Sequence, residues 1–177
     1  GQVFKEDSTH QGTPHPYFAL ALDADNDTKK AFELSKLKAP YTEVYEAKNG
    51  AVVKVSPFAD ESDLDKNLKS AIVIADNLGV SMNIRPHIII EGYKNPEYEI
   101  KGNIADRKES ISYTGIKKNL EYAKAQGVGT IVYDITEFKG WSATDITKHL
   151  KGKIMNYKGA DFLKEMYFIN ENRAISF

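Results

Sequence analysis

The alternation of apolar and polar residues in the first third of the chain predicts a helix followed by a β-hairpin. Apolar residues recur at helical spacing from Asp27, and Pro40 ends this helix because proline lacks a backbone N–H. Residues 42–56 then alternate around Asn49-Gly50. This pair is typical of a two-residue hairpin turn, in which both positions take positive φ. These elements are predicted to extend the N-terminal side of a larger domain.

The middle of the chain predicts one helix and three strands. Acids crowd the start of the segment 56–80, where the positive end of a helix attracts them, and Gly79 is a natural C-terminal stop. The segment 82–92 is predicted to be a strand because it contains the β-branched run Ile88–Ile90. Two further short strands are predicted on either side of a turn at Lys101-Gly102-Asn103.

The last third of the chain predicts a helix, a strand, a second helix and a terminal hairpin. These segments are residues 114–127, 130–136, 141–157 and 165–177. With the preceding segments they give the central order helix, strand, strand, strand, helix, strand. The predicted fold is therefore α/β, with a mixed central β-sheet flanked by helices, an N-terminal hairpin-and-helix extension and a C-terminal hairpin.

The chain divides by pattern at residue 26. Residues 1–26 are polar and are predicted to form a loosely attached leader, whereas residues 27–177 contain no linker or repeat and are predicted to form a single domain. The leader contains His10 and His15, a pair that could suggest a metal site. Isolated two-histidine sites are rare, so the pair is assigned to a solvated tail.

Composition narrows the possible functions. The chain carries 24 basic and 25 acidic residues, so a nucleic acid would have to bind to a local surface. It has no cysteine, which excludes disulfides, thiolate zinc sites and a cysteine nucleophile. No apolar run is long enough to cross a bilayer, so a soluble protein without a membrane partner is expected. No phosphate-binding glycine loop or zinc-protease motif is present, nor a Ser-His-Asp order, which disfavours kinases, dinucleotide enzymes and nucleophile-elbow hydrolases.

Three charged residues of the central hairpin are candidates for catalysis. Asp106 and Lys108 lie two apart and therefore on the same face of their strand, and Glu97 lies on the preceding strand, where it can approach Asp106. Two carboxylates suit Mg²⁺ or Mn²⁺, and an adjacent lysine can orient water or neutralise a phosphoryl transition state. The triplet thus fits metal-dependent phosphodiester hydrolysis. The alternative is an ordinary solvated charged face.

The surroundings of this triplet resemble a known family. The resembling pattern is Asn95-Pro96-Glu97-Tyr98, Gly102, Ile104-Ala105-Asp106-x-Lys108, Ala123, Ala125, Gln126 and the strand Ile131–Asp134. Residues 60–135 resemble the nuclease core of the PD-(D/E)xK superfamily, which has a restriction-endonuclease-like αβββαβ order. More narrowly, they resemble the C-terminal toxin domains of contact-dependent growth inhibition proteins, including tRNA-cleaving members, and related domains attached to phage head-morphogenesis proteins.

The resemblance implies roles for four residues. Glu97 would be the first metal-binding acid, Asp106 the second and Lys108 the catalytic lysine. Gln126 would support the site or contact the substrate. The implied activity is a Mg²⁺- or Mn²⁺-dependent nuclease acting on RNA, especially tRNA, more than on DNA. A toxin of this kind would act in a bacterial cytoplasm and would have a cognate immunity protein as partner.

The sequence departs from the family pattern in the helix before the central strands. Many relatives carry a glutamate there, but residues 66–70 contain no acid. Asp65 or Glu91 would have to supply the missing ligand. The alternative function is a catalytically degenerate, nuclease-fold interaction domain of a phage or mobile-element protein. A third reading is a metal-independent ribonuclease that uses His87, although a hydrogen-bonded structural histidine fits this position better.

Further residues are candidates for substrate contacts. Four basic residues near the proposed site could bind phosphates: Arg85, Arg107, Lys117 and Lys124. The lysines, together with Lys118, equally suit the wet face of an amphipathic helix. Three tyrosines could stack on unpaired bases or pack with one wet end: Tyr93, Tyr98 and Tyr113.

Overall fold

The computed structural model describes four stretches of the chain. These are residues 26–111, 115–138, 143–157 and 159–176. The predicted leader with His10 and His15, and also Tyr113, lie outside the described residues. Within the described part, no helix is both long and apolar enough to cross a membrane.

The described residues form helices and strands in the predicted order. The α-helices are α1 (Asn26–Ser35), α2 (Glu61–Leu78), α3 (Ile116–Ala125) and α4 (Ala143–Asn156). The strands are β1 (Thr42–Glu46), β2 (Val52–Val55), β3 (Met82–Ile84), β4 (Tyr98–Ile100), β5 (Asn103–Glu109), β6 (Thr130–Asp134), β7 (Glu165–Asn170) and β8 (Arg173–Ser176). Short 3₁₀ turns follow α1 and precede β7.

The eight strands form one mixed sheet in which spatial order equals chain order. The pairs β2–β3, β5–β6 and β6–β7 are parallel, and the other four pairs are antiparallel. Helices α3 and α4 connect the parallel strands β5, β6 and β7, as crossover connections require. The predicted α/β class with a mixed sheet is confirmed, as are the N-terminal and C-terminal hairpins.

Helix α2 covers one face of the sheet. Its Ala71 and Ile74 pack in a single core cluster with Tyr98 of β4 and Ala105 of β5. The Tyr98 hydroxyl also donates a hydrogen bond to the carbonyl oxygen of Asn67 at 2.7 Å. Side chains alternate along β5, so the residues next to Ala105 project from the other face.

Helices α3 and α4 cover that other face. Leu120 of α3 and Leu150 of α4 form a second apolar cluster with Ile131 of β6 and Phe168 of β7. In the β5–β6 register Ile131 is the partner of Asp106. Paired residues share a face, so Asp106 projects towards the side of α3 and α4.

The turn of the β1–β2 hairpin is longer than the two residues predicted. The N–H of Ala47 donates to the carbonyl oxygen of Ala51 at 2.8 Å, which leaves three residues in the loop. Gly50 has a φ of +92°, but Asn49 does not take positive φ. The Asn49 side chain instead donates to the Ala75 carbonyl oxygen at 2.8 Å. This contact with the end of α2 is a tertiary one, which a local turn signal could not reveal.

The strand predicted over residues 82–92 is wrong beyond its first residues. Strand β3 spans only Met82–Ile84. Pro86 lacks an N–H to continue the ladder. Further on, the Asn95 side chain accepts the N–H of Ile88 at 2.8 Å and donates to its carbonyl oxygen at 2.9 Å. The β-branched run therefore bonds to the side chains of Asn95 and Glu33 and to the N–H of Tyr93, instead of to a neighbouring strand.

Candidate active site

The β4–β5 hairpin brings Glu97 and Asp106 together. A two-residue turn, both of whose residues have positive φ, sets a register in which Tyr98 pairs with Ala105. One residue further along, the same register places Glu97 opposite Asp106. The Glu97 carboxylate also accepts the backbone N–H of Arg107 at 2.8 Å. The predicted approach of the two carboxyl groups thus follows from the turn and the register.

Lys108 and Asp106 form a buried ion pair on the face of α3. The Lys108 ammonium nitrogen lies 2.7 Å from Oδ2 of Asp106, and the Asp106 side chain is only 1% exposed. The short distance does not have hydrogen-bond geometry, so Oδ2 has no directed hydrogen bond within the described part of the chain. We regard the contact as an ion pair on the strength of its distance. Oδ2 is thus buried against the Lys108 ammonium, which balances its charge.

The Glu97 carboxyl is partly buried beside another carboxyl group. Burial, the hydrogen bond with Asp106 and the Asp106 charge raise the pKa of Glu97 to about 8. The physical cause is that a second carboxylate charge beside Asp106 is costly in a poorly solvated place, even though Asp106 is paired with the Lys108 ammonium. One proton is thus held by this pair near neutral pH, and it is the proton that a bound cation would displace.

One flank of α3 faces the ion pair. The Tyr122 ring centroid lies 5.8 Å from the Lys108 ammonium and 5.6 Å from that of Lys118, and the Tyr122 side chain is 52% exposed. Lys118 and Gln126 lie four residues on either side of Tyr122, so the three share this flank. The Gln126 Oε1 atom is buried and has no hydrogen-bond partner among the described residues. Gln126 therefore offers an unsatisfied acceptor on the flank of α3 that faces Lys108.

Sequence reasoning does not find Tyr122, although a signal for it exists. Lys118, Tyr122 and Gln126 recur every four residues, which places them on one helix flank. Gln126 had a predicted role, so its flank could have been searched for aromatic residues. The contact between Tyr122 and Lys108 cannot be read from the sequence, because Lys108 lies on strand β5 and Tyr122 on helix α3.

Arg107 projects from the opposite face of β5. Its guanidinium donates to the Ser70 hydroxyl at 2.9 Å, to Glu109 at 3.0 Å and to Asp134 at 2.9 Å. Burial lowers its pKa, but the hydrogen bond to Glu109 and the negative charges of Asp134 and Glu109 more than offset this, so the pKa of Arg107 is raised. The structure thus places Arg107 in an ion-pair cluster under α2, away from Asp106 and Lys108.

The other predicted phosphate-binding residues lie in two places. Arg85 donates from Nη1 to the Pro96 carbonyl oxygen at 3.0 Å, and its N–H donates to the Glu97 carbonyl oxygen at 2.8 Å, so it lies beside the site. Lys117 and Lys124 are exposed on the flank of α3 away from Lys108. The structure thus brings Arg85 to the backbone of Pro96 and Glu97, whereas the helical period places Lys117 and Lys124 on another flank of α3 from Tyr122.

The tyrosines predicted to contact bases are not equivalent. Tyr98 is fully buried, and its hydroxyl donates to the Asn67 carbonyl oxygen, so of the two alternatives for this residue, stacking on a base is excluded. Tyr93 is partly exposed in the loop before Asn95. The packing alternative therefore applies to Tyr98, because α2 closes over its ring.

His87 lies at the start of α2. Its Nδ1 atom is 3.8 Å from a carboxylate oxygen of Asp60, and its N–H donates to the Phe58 carbonyl oxygen at 2.8 Å. Asp60 caps α2 by accepting the N–H of Ser62 at 2.9 Å, and hydrogen bonds from Ser62 lower the pKa of Asp60. These contacts fit the structural role that was the alternative to catalysis.

No third acid joins Glu97 and Asp106 in the described ranges. No group of three or more histidine or acidic residues there is arranged to hold a metal ion. Asp65 is exposed on α2, which lies on the opposite face, and Glu91 is exposed in a turn. Glu99 shares a strand face with Glu97 but accepts a hydrogen bond from Asn83 at 3.2 Å. Within the described ranges, the protein ligands available to a cation at this site are therefore two carboxylates.

These residues nevertheless fit a divalent cation with an otherwise open coordination sphere. Mg²⁺ is commonly held by one or two carboxylates and keeps several water or substrate ligands. Glu97 and Asp106 supply hard oxygen ligands, and Oδ2 of Asp106 is contacted by the Lys108 ammonium but has no partner with hydrogen-bond geometry among the described residues.

Comparison with known proteins identifies a structural relative. The fold is similar to that of a chain in the CdiA-CT/CdiI toxin and immunity complex from Burkholderia pseudomallei, with a TM-score of 0.50. The similarity covers 68% of this chain and 90% of that chain, at 20% sequence identity. The shared feature is the fold. A scan against protein-family models gives no match, and a search of curated proteins gives no significant match.

Proposed function

We propose that this protein is a metal-dependent nuclease. The observation that carries the proposal is the contact between the carboxyl groups of Glu97, which immediately precedes β4, and Asp106 of β5, with the Lys108 ammonium 2.7 Å from Asp106. A carboxylate pair beside a lysine, exposed to a helix flank rich in polar groups, is suited to phosphodiester hydrolysis. An ordinary solvated face would leave Asp106 exposed, but its side chain is 1% exposed.

Each residue has a distinct role in this proposal. Glu97 and Asp106 would hold Mg²⁺ or Mn²⁺ through their carboxylate oxygens. When bound, the cation would supply an activated water and stabilise charge on the phosphate oxygens. Lys108, which Asp106 fixes in place, donates hydrogen bonds to the phosphate or to the attacking water. Gln126 shares the α3 flank of Tyr122, and rotation of its side chain would let the buried, unpaired Oε1 accept a hydrogen bond from the water or from a substrate hydroxyl.

RNA, and tRNA in particular, is the preferred substrate in this proposal. The support is the motif resemblance to tRNA-cleaving toxin domains, together with the shared fold in a complex of a toxin and its immunity protein. On the same grounds we propose that the protein acts as a toxin domain and has a cognate immunity protein. Arg85, beside Glu97, is a candidate for contacting the substrate phosphate.

A second candidate is a nuclease-fold interaction domain without catalysis. The observation that favours it is that the described residues supply only two acids to the site. If two carboxylates hold a cation too weakly, the fold would persist without the chemistry. Measured cation binding distinguishes the two candidates.

The test is cleavage by the purified protein of total tRNA and of plasmid DNA, each with Mg²⁺, Mn²⁺ or EDTA. The matched variants are Asp106→Asn and Lys108→Gln, which remove charge with little change in shape. Asp63→Asn, an exposed acid on α2, is the control for loss of a carboxylate. Circular dichroism confirms that each variant is folded.

Cleavage that needs the cation and disappears in both site variants, but persists in Asp63→Asn, would support the nuclease. Folded wild-type protein that cleaves neither substrate and binds no Mn²⁺ would favour the interaction domain. Cleavage that persists in EDTA and is lost in His87→Ala would support the metal-independent ribonuclease instead.

A further inference from the structure

Positive charge is concentrated on α3 and α4. These two helices carry six lysines and two acids, whereas the whole chain carries 24 basic and 25 acidic residues. The rest of the molecule is therefore net acidic. Such an uneven distribution creates a local positive field on a nearly neutral protein.

A groove of about 820 Å³ separates the two helices. Lys117 of α3 and Lys148 and Lys153 of α4 line it, together with Asp145. All three lysines are exposed. Lys117 has only a 4.0 Å contact with Glu121, and neither Lys148 nor Lys153 forms an ion pair with any residue that the structure describes. Their charges are thus available to a ligand.

The groove lies next to the candidate active site. Helix α3 presents Lys118 and Tyr122 on the flank facing Lys108, and Lys117 on the flank that lines the groove. Only the width of one helix, about 10 Å, separates the two flanks. A strand bound in the groove could therefore cross α3 and reach Lys108.

We propose that the groove between α3 and α4 binds the phosphate backbone of the nucleic acid on one side of the cleaved bond. This inference rests on the proposed nuclease function and adds a second contact region to it. Lys117, Lys148 and Lys153 contact phosphates, and the contact is electrostatic and independent of base sequence. The groove thereby supplies affinity, while the residues around Asp106 supply the chemistry.

An acidic polypeptide is the competing occupant. The backbone of a nucleic acid is favoured because the lysines flank an open channel along two helices, beside a site built for phosphate chemistry. Polyglutamate is therefore included as a competitor in the binding experiment.

Position 152 gives a direct test, because Gly152 lines the groove and a side chain there would meet open space. No heavy atom outside the neighbouring turns of α4 lies within 4 Å of where its Cβ would be. Gly152→Glu would add a negative charge to the groove, and Gly152→Lys would add a positive charge. Gly152→Ala adds no charge and is the matched control. All three residues are better helix formers than glycine, so folding should be preserved.

The measurement is the Kd of fluorescently labelled tRNA and of labelled duplex DNA by anisotropy, with EDTA present to prevent metal-dependent cleavage. We expect Gly152→Glu to weaken binding about fivefold, the size of one charge contact near water, and Gly152→Lys to tighten it. Gly152→Ala should match the wild type. In Lys148→Gln/Lys153→Gln the slope of log K against log salt should fall by about 1.4–1.8. Lys66→Gln/Lys69→Gln on α2 is the matched charge control.

Binding and cleavage are read separately, so the two proposals can fail independently. If the Gly152 series leaves both affinities unchanged while cleavage persists, the groove proposal is wrong and the nuclease stands. If the series shifts affinity as expected but no cation supports cleavage, the groove binds nucleic acid and the nuclease proposal fails. Stronger competition by polyglutamate than by unlabelled tRNA at equal charge would assign the groove to an acidic polypeptide and overturn the inference.

Discussion

Glu97 and Asp106 face each other across the β4–β5 hairpin, and Asp106 in turn forms an ion pair with Lys108 at 2.7 Å. Burial and the neighbouring Asp106 carboxyl raise the pKa of Glu97 to about 8. The pair therefore retains a proton at neutral pH in the absence of a cation. This proton links stability, cation binding and pH, and the link can be measured.

The first prediction concerns stability in EDTA. An unfolded glutamate loses its proton near its ordinary pKa, whereas folded Glu97 keeps its proton up to about pH 8. Because the folded state holds more protons in this window, stability falls as pH rises from about 4.5 to about 8. We expect a loss of about 4 kcal/mol over this pH range, measured by urea unfolding. Glu97→Gln cannot ionise, so an equally steep fall in that variant would refute the assignment.

The second prediction concerns the pH dependence of cation binding. Below about pH 8 a cation must displace the proton of Glu97, so Mn²⁺ affinity should rise up to about tenfold per pH unit and level off above that pH. Isothermal titration in two buffers of different ionisation enthalpy should detect one proton released at pH 6.5. Asp106→Asn should abolish binding. Mn²⁺ affinity independent of pH would contradict the prediction.

The third prediction concerns the loop before β4. Asn95 satisfies both backbone groups of Ile88, a residue that is 1% exposed. Asn95→Ala leaves two buried polar groups without partners and should lower the free energy of unfolding by about 2–4 kcal/mol. Asn95→Asp keeps the acceptor for the Ile88 N–H and should lose less. The free energy of unfolding is measured with urea. Equal losses in the two variants would show that the hydrogen bonds between Asn95 and Ile88 are not the cause of the destabilisation.

The fourth prediction concerns the ion-pair cluster under α2. Arg107 pairs with Asp134, whose side chain is 19% exposed, and with Ser70. Removing the guanidinium in Arg107→Leu leaves the Asp134 charge poorly compensated and should destabilise the fold by about 3 kcal/mol. The double variant Arg107→Leu/Asp134→Asn should recover part of this loss. Additive effects in this double-mutant cycle would show that the pair is not coupled.

Local signals in the sequence determined the order of the elements and the central hairpin. The turn at Lys101-Gly102 and the two-residue period of β5 were enough to predict that Glu97, Asp106 and Lys108 converge. Both signals depend on neighbours a few residues apart. Because such signals are local, the sequence led us to overestimate the length of β3. A β-branched run does not reveal whether its backbone will be hydrogen-bonded by a neighbouring strand or by a side chain such as that of Asn95.

Only the tertiary structure decided which groups share a face with the carboxyl pair. Packing of α2 against Tyr98 and Ala105 places residues 66–70 and Arg107 on the far side of the sheet, so the helix region without an acid does not face Asp106. Helices α3 and α4 pack on the face of the sheet that carries Asp106. This packing brings Tyr122 to Lys108 and forms the lysine-lined groove between the two helices. These contacts join residues distant in the chain, and the free energy of burying one helix face against the sheet selects them.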